Sequence, residues 1–304
     1  MTTLRAAFFG TPSESIPVLA GLLEVAEVDF VVTRPDAPRG RSDDLVAPPV
    51  KLAAEGLGLR VLQPARPVEM LEETSAVDVA LVAAYGLMVP PSLLIAPTYG
   101  FVNLHYSLLP RWRGASPVVR TILAGDGSAG VTLIQMDEGL DTGPIFAQSE
   151  TRVGPDETAG ELTARLAVLG GVLVAESLPL IVAGRSIARP QDESRATAAG
   201  KVTVEEAFLD PSRHTAAAVH RAVRAFDPKP GAWGTVDGER VKVWAVRAAE
   251  AEAEPGVASE VDGAVILGCS DGAVELVKVQ PAGRPRMAAN AWMHGRRGEP
   301  ARFE

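Results

Sequence analysis

The sequence predicts an α/β protein in which a parallel-rich sheet is followed by a small antiparallel barrel or sheet. Short apolar runs alternate with helical patterns through the N-terminal part of the chain, and short strands separated by Asp-Gly turns fill the C-terminal part. A length of 304 residues suits two cores, and 47% hydrophobic with 22% charged residues is ordinary for a folded protein.

The parallel sheet is predicted from apolar runs that end in turn residues. The first strand covers residues 4–9 and stops at Gly10-Thr11-Pro12, after which Ser13 or Ser15 caps a helix. Further strands are predicted over residues 28–33, 60–62, 78–84 and 100–106, with helices over residues 50–55 and 68–74. Strands that alternate with helices imply a parallel sheet covered on both faces.

The pattern then changes to a helix, a hairpin and a longer helix. The first helix is predicted over residues 117–124, and two strands over residues 130–134 and 145–149 form a hairpin around a long loop. A stripe of leucines over residues 158–181 predicts a long helix with Pro179 near its end. These elements complete the N-terminal part of the fold.

Composition places the domain boundary after that helix. Polar and small residues dominate residues 187–203, which we predict to be a linker between an N-terminal domain, residues 1–186, and a C-terminal domain, residues 204–304. The C-terminal domain is predicted to hold a helix over residues 215–226 and strands over residues 234–236, 240–247, 264–269 and 273–280.

Cysteine usage and hydropathy indicate the compartment. The single cysteine, Cys269, lies in an apolar run with no basic neighbour, so we predict a buried strand thiol rather than a reactive group. The N-terminus lacks the pattern of a signal peptide, and every long apolar run is interrupted by charges or helix breakers. We therefore expect a cytoplasmic protein that does not bind membranes.

The net charge of −9 argues against a nucleic-acid partner, but the charge is unevenly distributed. Most of it falls in the first 200 residues, whereas the C-terminal tail has a single acid, Glu299, among its basic groups. Those basic groups are Lys278, Arg284, Arg286, Arg296, Arg297 and Arg302. A locally basic face is thus compatible with an acidic protein.

The segment Asn103-Leu104-His105 carries the first chemical signal. Residues two apart in a strand project to the same face, so Asn103 and His105 point together. An amide donor beside an imidazole suits acyl transfer to an amine, which develops an oxyanion and requires proton movement. Taken alone, this pair is more often structural than catalytic.

The loop from Gln135 to Pro144 strengthens the catalytic interpretation. Glycines and a proline hold its acidic side chains in a turn, and a carboxylate there could keep the imidazole charged or take up a proton. The alternative is a solvated hairpin turn. Nicotinamide binding is disfavoured because Gly10-Thr11-Pro12 lacks the other glycines of the dinucleotide fingerprint and is followed by no P-loop lysine.

These segments together closely resemble the methionyl-tRNA formyltransferases, in order and along the whole chain. The matching motifs are Phe9-Gly10-Thr11-Pro12, Tyr85-Gly86, Asn103-Leu104-His105, Ser107-Leu108-Leu109-Pro110-Arg111-Trp112-Arg113-Gly114 and Gly139-Leu140-Asp141-Thr142-Gly143. The resemblance implies a Rossmann-like formyltransferase domain with a parallel-rich sheet, followed by a C-terminal OB-like β-barrel domain that contacts tRNA. The implied reaction moves a formyl group from 10-formyltetrahydrofolate to methionyl initiator tRNA.

The resemblance also implies residue roles. Asn103, His105 and Asp141 correspond to the family's catalytic trio, with Asn103 and protonated His105 holding the oxyanion and Asp141 assisting proton removal. Residues implied to bind the folate are Ser107, Leu108, Leu109, Pro110, Tyr85 and Gly86. No metal is expected, and His214, His220 and His294 lack ligand spacing.

An insertion over residues 34–45 corresponds to a family segment that contacts the acceptor end of the tRNA. Arg39 and Arg41 are the residues we assign to phosphate contact. Family members commonly have lysines next, whereas this sequence has Asp43 and Asp44, which weaken the electrostatic attraction to phosphate.

Alternatives remain open at this point. Within the enzyme class they are a folate-dependent formyltransferase acting on a nucleotide-sugar amine and a hydrolase-type relative with the same folate site. From another class, a non-catalytic RNA-binding module would use the basic tail but would not require Asn103, His105 and Asp141 together.

Trp233, Trp244 and Trp292 are expected in or near strands as core residues rather than base-stacking platforms. We expect a monomer.

Overall fold

The computed structural model describes residues 3–38 and 44–304. The chain divides into two compact units. The first comprises residues up to 117, 128–151 and 163–199; the second comprises residues 118–127, 152–162 and 200–304. The domain boundaries drawn from composition stay a prediction.

The described residues form the following elements. The strands are β1 (Arg5–Gly10), β2 (Glu27–Val32), β3 (Ala37–Pro38), β4 (Leu45–Val46), β5 (Val61–Leu62), β6 (Val79–Ala83), β7 (Phe101–His105), β8 (Ser128–Gln135), β9 (Ile145–Arg152), β10 (Ala232–Val236), β11 (Glu239–Ala249), β12 (Val257–Val261), β13 (Ala264–Cys269), β14 (Gly272–Pro281), β15 (Met287–Ala288) and β16 (Ala301–Arg302). The helices are α1 (Ile16–Leu23), α2 (Pro49–Gly56), α3 (Leu71–Thr74), α4 (Pro91–Leu94), α5 (Pro117–Ala124), α6 (Ala159–Val182), α7 (Ala216–Ala225) and α8 (Ala289–Gly295).

The first unit is built on a seven-stranded sheet in the order β5-β2-β1-β6-β7-β8-β9. The five strands from β5 to β7 pair in parallel, and β8 pairs antiparallel to β7. This confirms the predicted parallel-rich sheet. The carboxyl ends of β1, β6 and β7 therefore meet at one edge, which is where open parallel sheets place their ligands.

Both faces of this sheet are buried. On one face Phe9, Phe101 and Tyr85 pack together, with the Phe9 ring 5.4 Å from Tyr85 and 5.1 Å from Phe101. On the other, α1 and α6 approach each other at Gly21 and Gly171, where an added Cβ on Gly21 would lie 2.1 Å from the Gly171 carbonyl oxygen. Only glycine permits backbones to come this close.

The long helix α6 begins with a reciprocal cap. The Thr158 backbone N–H donates to Glu161, and the Glu161 N–H donates to the Thr158 hydroxyl. By length and composition α6 is apolar enough to cross a membrane, with a mean hydropathy of 1.8, but half of its apolar window is buried inside the protein. A buried core helix meets the same criterion.

The second unit is an antiparallel sheet in the order β10-β11-β14-β13-β12-β16. Its two ends join because Thr235 and Glu304 exchange backbone hydrogen bonds of 2.8 and 3.2 Å, so the sheet closes into a barrel as predicted. Cys269 is buried in β13, which confirms its expected place.

Four elements of the second unit were missed by the sequence patterns. Strands β12, β15 and β16 were not predicted, and α8 occupies a segment around Trp292 for which no element was predicted. The expectation that Trp292 packs in the core is confirmed, since its helix buries the indole, whose ring centroid lies 6.3 Å from that of Phe303. The N-cap residue Ala288 offers no side-chain hydrogen bond, so no sequence signal marked the start of the helix.

Candidate active site

The last residues of β7 place the first two side chains of the site. Leu104 is buried on one face of the sheet, where Gly170 of α6 packs against it, so Asn103 and His105 project from the opposite face. This position lies in the sheet interior, between β6 and β8. The predicted common direction of the amide and the imidazole follows from strand geometry.

Asp141 comes from the loop between β8 and β9, and its carboxylate joins the two. Oδ1 accepts from Asn103 Nδ2 at 3.3 Å, and Oδ2 accepts from the backbone N–H of Gly114 at 2.9 Å. His105 Nδ1 lies 3.5 Å from Oδ2, and the two side chains are only 7% and 13% exposed. The structure therefore brings Asn103, His105 and Asp141 together in a water-poor setting, while their catalytic roles stay a prediction.

The second ring nitrogen of His105 also faces an oxygen. Nε2 lies 2.8 Å from the backbone carbonyl oxygen of Trp112. That carbonyl is aimed by a strained residue, since Trp112 has a φ of +65°, a region that costs a large side chain about 1–2 kcal/mol. Both ring nitrogens of His105 thus face oxygen atoms that can accept a hydrogen bond from a ring N–H.

The remaining acids of the loop have different environments. Asp137 Oδ1 accepts from the Gly139 N–H at 3.1 Å and from the Thr142 hydroxyl at 2.7 Å, which makes it a brace for the turn. Glu138 is exposed. Asp141 itself has a φ of +56°, which an Asp tolerates better than most residues.

The segment Ser107–Pro110, implied to contact folate, is tightly bonded to its neighbours. The Ser107 hydroxyl donates to the Arg111 carbonyl at 2.6 Å, and the Thr132 hydroxyl donates to the Ser107 carbonyl at 2.6 Å. Gln148 donates to the Leu109 carbonyl at 2.9 Å. The segment has a fixed shape, and its folate contact stays a prediction.

Tyr85 and Gly86, the other implied folate residues, follow β6. The Thr11 hydroxyl donates to the Tyr85 carbonyl at 2.8 Å, which ties the turn after β1 to the end of β6. The Tyr85 phenol is buried and, among the described residues, finds no hydrogen-bond partner; burial raises its pKa. A buried hydroxyl without a partner is costly for the folded protein.

The phosphate-binding candidates Arg39 and Arg41 lie outside the described residues, as does Asp43. The start of their insertion is anchored by Asp36, whose carboxylate accepts from Gln63 at 2.7 Å and from Lys51 at 2.9 Å. These hydrogen bonds lower the pKa of Asp36, first through Gln63 and then through Lys51. Asp36 is therefore held in place near the start of the insertion.

A cavity of about 620 Å³ lies beside the start of the loop that carries Asp141, but it does not contain the reaction centre. Residues 135–138 form part of its wall, together with Leu94, Ile95, Phe146 and Ile181. Of the predicted site residues that the structure describes, none lines it. In the described part of the chain, no three His, Cys, Asp or Glu side chains are grouped to hold a metal ion.

Sequence reasoning missed the part of the site supplied by residues 187–199, which it assigned to a linker. Gln191 donates to the carbonyls of Asp141 and Gly143, and Thr197 accepts from the Trp112 N–H at 2.9 Å. The polar composition that suggested a linker gave no sign of these contacts.

The first unit corresponds to a known class of enzymes. A family model described as formyl transferase matches residues 5–178, and a second, described as formyl transferase, C-terminal domain, matches residues 201–297. The fold is therefore that of a two-part formyltransferase.

Relatives narrow the class. A methionyl-tRNA formyltransferase from Paenarthrobacter aurescens is 42% identical over 96% of this chain and 97% of its own length. Another, from Halorhodospira halophila, is 43% identical over 97% of this chain and 98% of its own. The chain belongs to the methionyl-tRNA formyltransferase family.

More distant solved structures share the fold alone. A sugar 3N-formyl transferase solved with dTDP and 5-N-formyl-THF has a TM-score of 0.68 at 15% identity, covering 94% of this chain and all of that one. HypX from Aquifex aeolicus in complex with tetrahydrofolic acid has a TM-score of 0.67 at 19% identity, covering 96% of this chain and 47% of that one.

Proposed function

We propose that this chain transfers the formyl group of 10-formyltetrahydrofolate to the free amino group of methionyl initiator tRNA, giving N-formylmethionyl-tRNA for translation initiation. The observation that carries the proposal is the Asp141 carboxylate, which contacts both Asn103 and His105. Family membership supplies the substrates, and this cluster supplies the chemistry.

Asn103 acts as the oxyanion donor. Its amide nitrogen has two N–H groups, one of which is directed to Asp141 Oδ1. The other is available to the formyl oxygen as the methionyl amine attacks and negative charge develops there. A donor fixed in advance in this way lowers the barrier by about 3–4 kcal/mol in comparable sites.

His105 and Asp141 act as a pair. The 3.5 Å separation of Nδ1 from Oδ2 exceeds a normal hydrogen bond, so the Nδ1 proton can be shared with the developing oxyanion. Asp141, held by Asn103 and Gly114, keeps a negative charge beside the ring and takes up, through water, the proton that the attacking amine loses.

The balance of the reaction is simple. The amine nitrogen gains a bond to the formyl carbon and loses a proton, while the bond from that carbon to the folate nitrogen breaks and the nitrogen gains a proton. The co-substrate supplies the electrophilic carbon; the protein supplies two donors and one acceptor. A carboxylate that lies 3.3 Å from an amide nitrogen and 3.5 Å from an imidazole nitrogen fits that requirement.

The substrates define the remaining assignments. Ser107, Leu108, Leu109, Pro110, Tyr85 and Gly86 are proposed to contact the folate, as the family resemblance implies. Arg39 and Arg41 are proposed to contact tRNA phosphates. No metal is required. The enzyme is proposed to act in the cytoplasm as a monomer, where charged tRNA and reduced folate are present.

The test is transfer of labelled formyl from 10-formyltetrahydrofolate to methionyl initiator tRNA, beside uncharged tRNA and a dTDP-linked amino sugar. We expect transfer only to the charged tRNA, and its loss in His105→Ala. Transfer to the sugar amine with none to the tRNA would overturn the proposal in favour of a nucleotide-sugar enzyme.

A further inference from the structure

The segment of residues 187–199, here called the strap, is bonded to both loops that form the reaction centre. Its first part pairs with β9, where Ile145 and Arg189 exchange backbone hydrogen bonds of 2.7 and 2.8 Å. Its last part pairs with Arg113, whose N–H donates to the Thr197 carbonyl at 2.8 Å and whose carbonyl accepts from Ala199 at 2.6 Å. The strap thus spans from the loop of Asp141 to the loop of Trp112.

Between these two anchors, Gln191 reaches the backbone of the Asp141 loop. Its amide nitrogen donates to the carbonyl oxygens of Asp141 and Gly143, each at 2.8 Å. A side-chain amide nitrogen has two protons, so both are used. These two carbonyls bracket the turn that positions the Asp141 carboxylate.

Arg113 fixes the orientation of that amide. Its Nε donates to the Gln191 side-chain oxygen at 2.9 Å. Because only the oxygen of a side-chain amide can accept a hydrogen bond, this contact fixes which end of the amide faces Arg113. The two terminal nitrogens of Arg113 are in turn held by Glu193 at 2.9 and 2.7 Å. Glu193 lies on the strap as well, so the amide of Gln191 is locked from both sides.

We propose that Gln191 is a positioning residue that holds the Asp141 carboxylate against His105 through the backbone of its loop. The inference rests on the proposed function, in which Asp141 acts on His105. The hydrogen bonds from Asn103 and Gly114 hold the Asp141 carboxylate, whereas the backbone of the turn, in which Asp141 has a positive φ, is held by other contacts. Gln191 is the side chain that fixes the carbonyls on either side of Thr142.

The variants are Gln191→Ala, which removes the amide, and Gln191→Glu, which keeps its size but turns a carboxylate toward two carbonyl oxygens. Gln280→Ala is the matched control, because Gln280 also donates to a backbone carbonyl, at 3.0 Å, and accepts from a side-chain N–H, at 2.9 Å, in the second unit. It tests whether loss of any such amide has the same effect.

The first readout is hydrogen exchange over residues 136–144 of the free protein, which needs no substrate. Both Gln191 variants are expected to speed exchange in this loop, and Gln280→Ala is expected to leave it unchanged. Unchanged exchange in both Gln191 variants would overturn the inference, whatever the protein's acceptor proves to be.

The second readout is kcat with methionyl initiator tRNA. Because a misplacement of about 1 Å can cost about 100-fold, we expect kcat to fall about 10- to 100-fold in Gln191→Ala, with KM for either substrate within about twofold. In an Asp141→Asn background the same change should cost less than about threefold, since the residue acts through that carboxylate. Equal losses in both backgrounds would contradict the inference.

The two proposals fail differently. A wild-type protein that does not formylate methionyl-tRNA counts against the proposed function, and the positioning role is then decided by hydrogen exchange alone. A wild-type protein that is active while both Gln191 variants retain full kcat overturns the positioning role alone.

Discussion

The types of residue that adopt a positive φ differ between the reaction centre of the first unit and the barrel of the second. In the barrel, Asp237 and Asp262 have φ values of +51° and +50°, and each is followed by a glycine in a hairpin turn. The second unit also has Arg297 at +60°, followed by Gly298. In the first unit, Ala84, Trp112 and Asp141 are at +47°, +65° and +56°, and neither Ala84 nor Trp112 has the short polar side chain that tolerates this conformation.

The difference shows where this protein accepts backbone strain. Asp-Gly is the ordinary solution for a two-residue hairpin, so the barrel turns cost little. Trp112 adopts an unfavourable φ while its carbonyl lies 2.8 Å from His105 Nε2, and a strained residue at a reacting group suggests a functional constraint. The barrel turns serve the fold, and the loops after β7 and β8 serve the site.

The largest effect is expected from removing the imidazole. His105→Ala should lower kcat about 1000-fold, because it removes both a hydrogen-bond donor beside the oxyanion and a proton-exchange group. His214→Ala is the control from the barrel unit, where the ring only accepts from the Asp210 N–H at 3.2 Å, and should stay within about twofold of wild type. Comparable losses in both variants, measured by steady-state formyl transfer, would erase the distinction between the units.

A pair of glycine substitutions compares the two kinds of turn directly. Gly114 has a φ of +119°, its N–H holds Asp141, and an added Cβ would lie 2.8 Å from the Ala199 carbonyl oxygen. Gly114→Ala should therefore cost about 1–3 kcal/mol of stability and about 100-fold in kcat.

Gly263→Ala is the barrel counterpart, since its φ is +80° and nothing lies within 4 Å of an added Cβ. It should cost about 1 kcal/mol in thermal or urea unfolding and leave kcat unchanged. If Gly114→Ala were as mild as Gly263→Ala, the loop would not be holding Asp141.

The barrel unit has its own unfavourable site, at Asp227. Burial raises the pKa of Asp227, with Arg286 only partly offsetting it. Because the folded-state pKa exceeds the unfolded value, the charged carboxylate destabilises the fold above that pKa, and the penalty disappears as the pH falls below 3.8. Asp227→Asn should raise Tm at pH 7 by about 1–3 °C, with no difference near pH 3.

The charged carboxylate of Glu206 has the opposite effect on stability to that of Asp227. A hydrogen bond from Arg120 lowers the pKa of Glu206, so its stabilising contribution is present at pH 7 and is lost as the pH falls through the folded-state pKa. Glu206→Gln should lower Tm at pH 7, and the difference should shrink on acidification. Two variants that shift Tm in the same direction would contradict the assignment.

The smallest effect on kcat is expected from treating the single cysteine with a thiol reagent. Burial raises the pKa of Cys269 to about 11, and its side chain is 2% exposed. A thiol reagent should modify it more than about 100-fold faster in the unfolded protein than in the native one, with native kcat unchanged after exposure to the reagent. Rapid native labelling, followed by absorbance, would show that the barrel core opens readily.

The sequence predicted regular elements better than it predicted the supports of the site. Strands β1, β2, β6 and β7 were predicted from apolar runs in the sequence. Asn103 and His105 were predicted to lie on one face because side chains alternate along a strand with a period of two residues. The closeness of Asp141 depends on a long loop, which no periodicity describes. Its position came from family resemblance.

Gln191 shows why the remaining contacts were not predictable. Its partners, Asp141 and Gly143, are backbone carbonyls 50 and 48 residues away, and a carbonyl carries no side-chain identity for a motif to reveal. In the barrel, α8 was missed because it is seven residues long and its N-cap residue, Ala288, has no capping side chain.

The central claim is that a carboxylate held by the loops after β7 and β8 drives the chemistry, and the most direct measurement is single-turnover formyl transfer by Asp141→Asn across pH. Glu138→Gln, an exposed acid in the same loop, is the matched control. We predict that Asp141→Asn is at least about 100-fold slower than wild type, with an altered pH profile, and that Glu138→Gln matches wild type. An Asp141→Asn enzyme with the rate and pH profile of wild type would contradict the account.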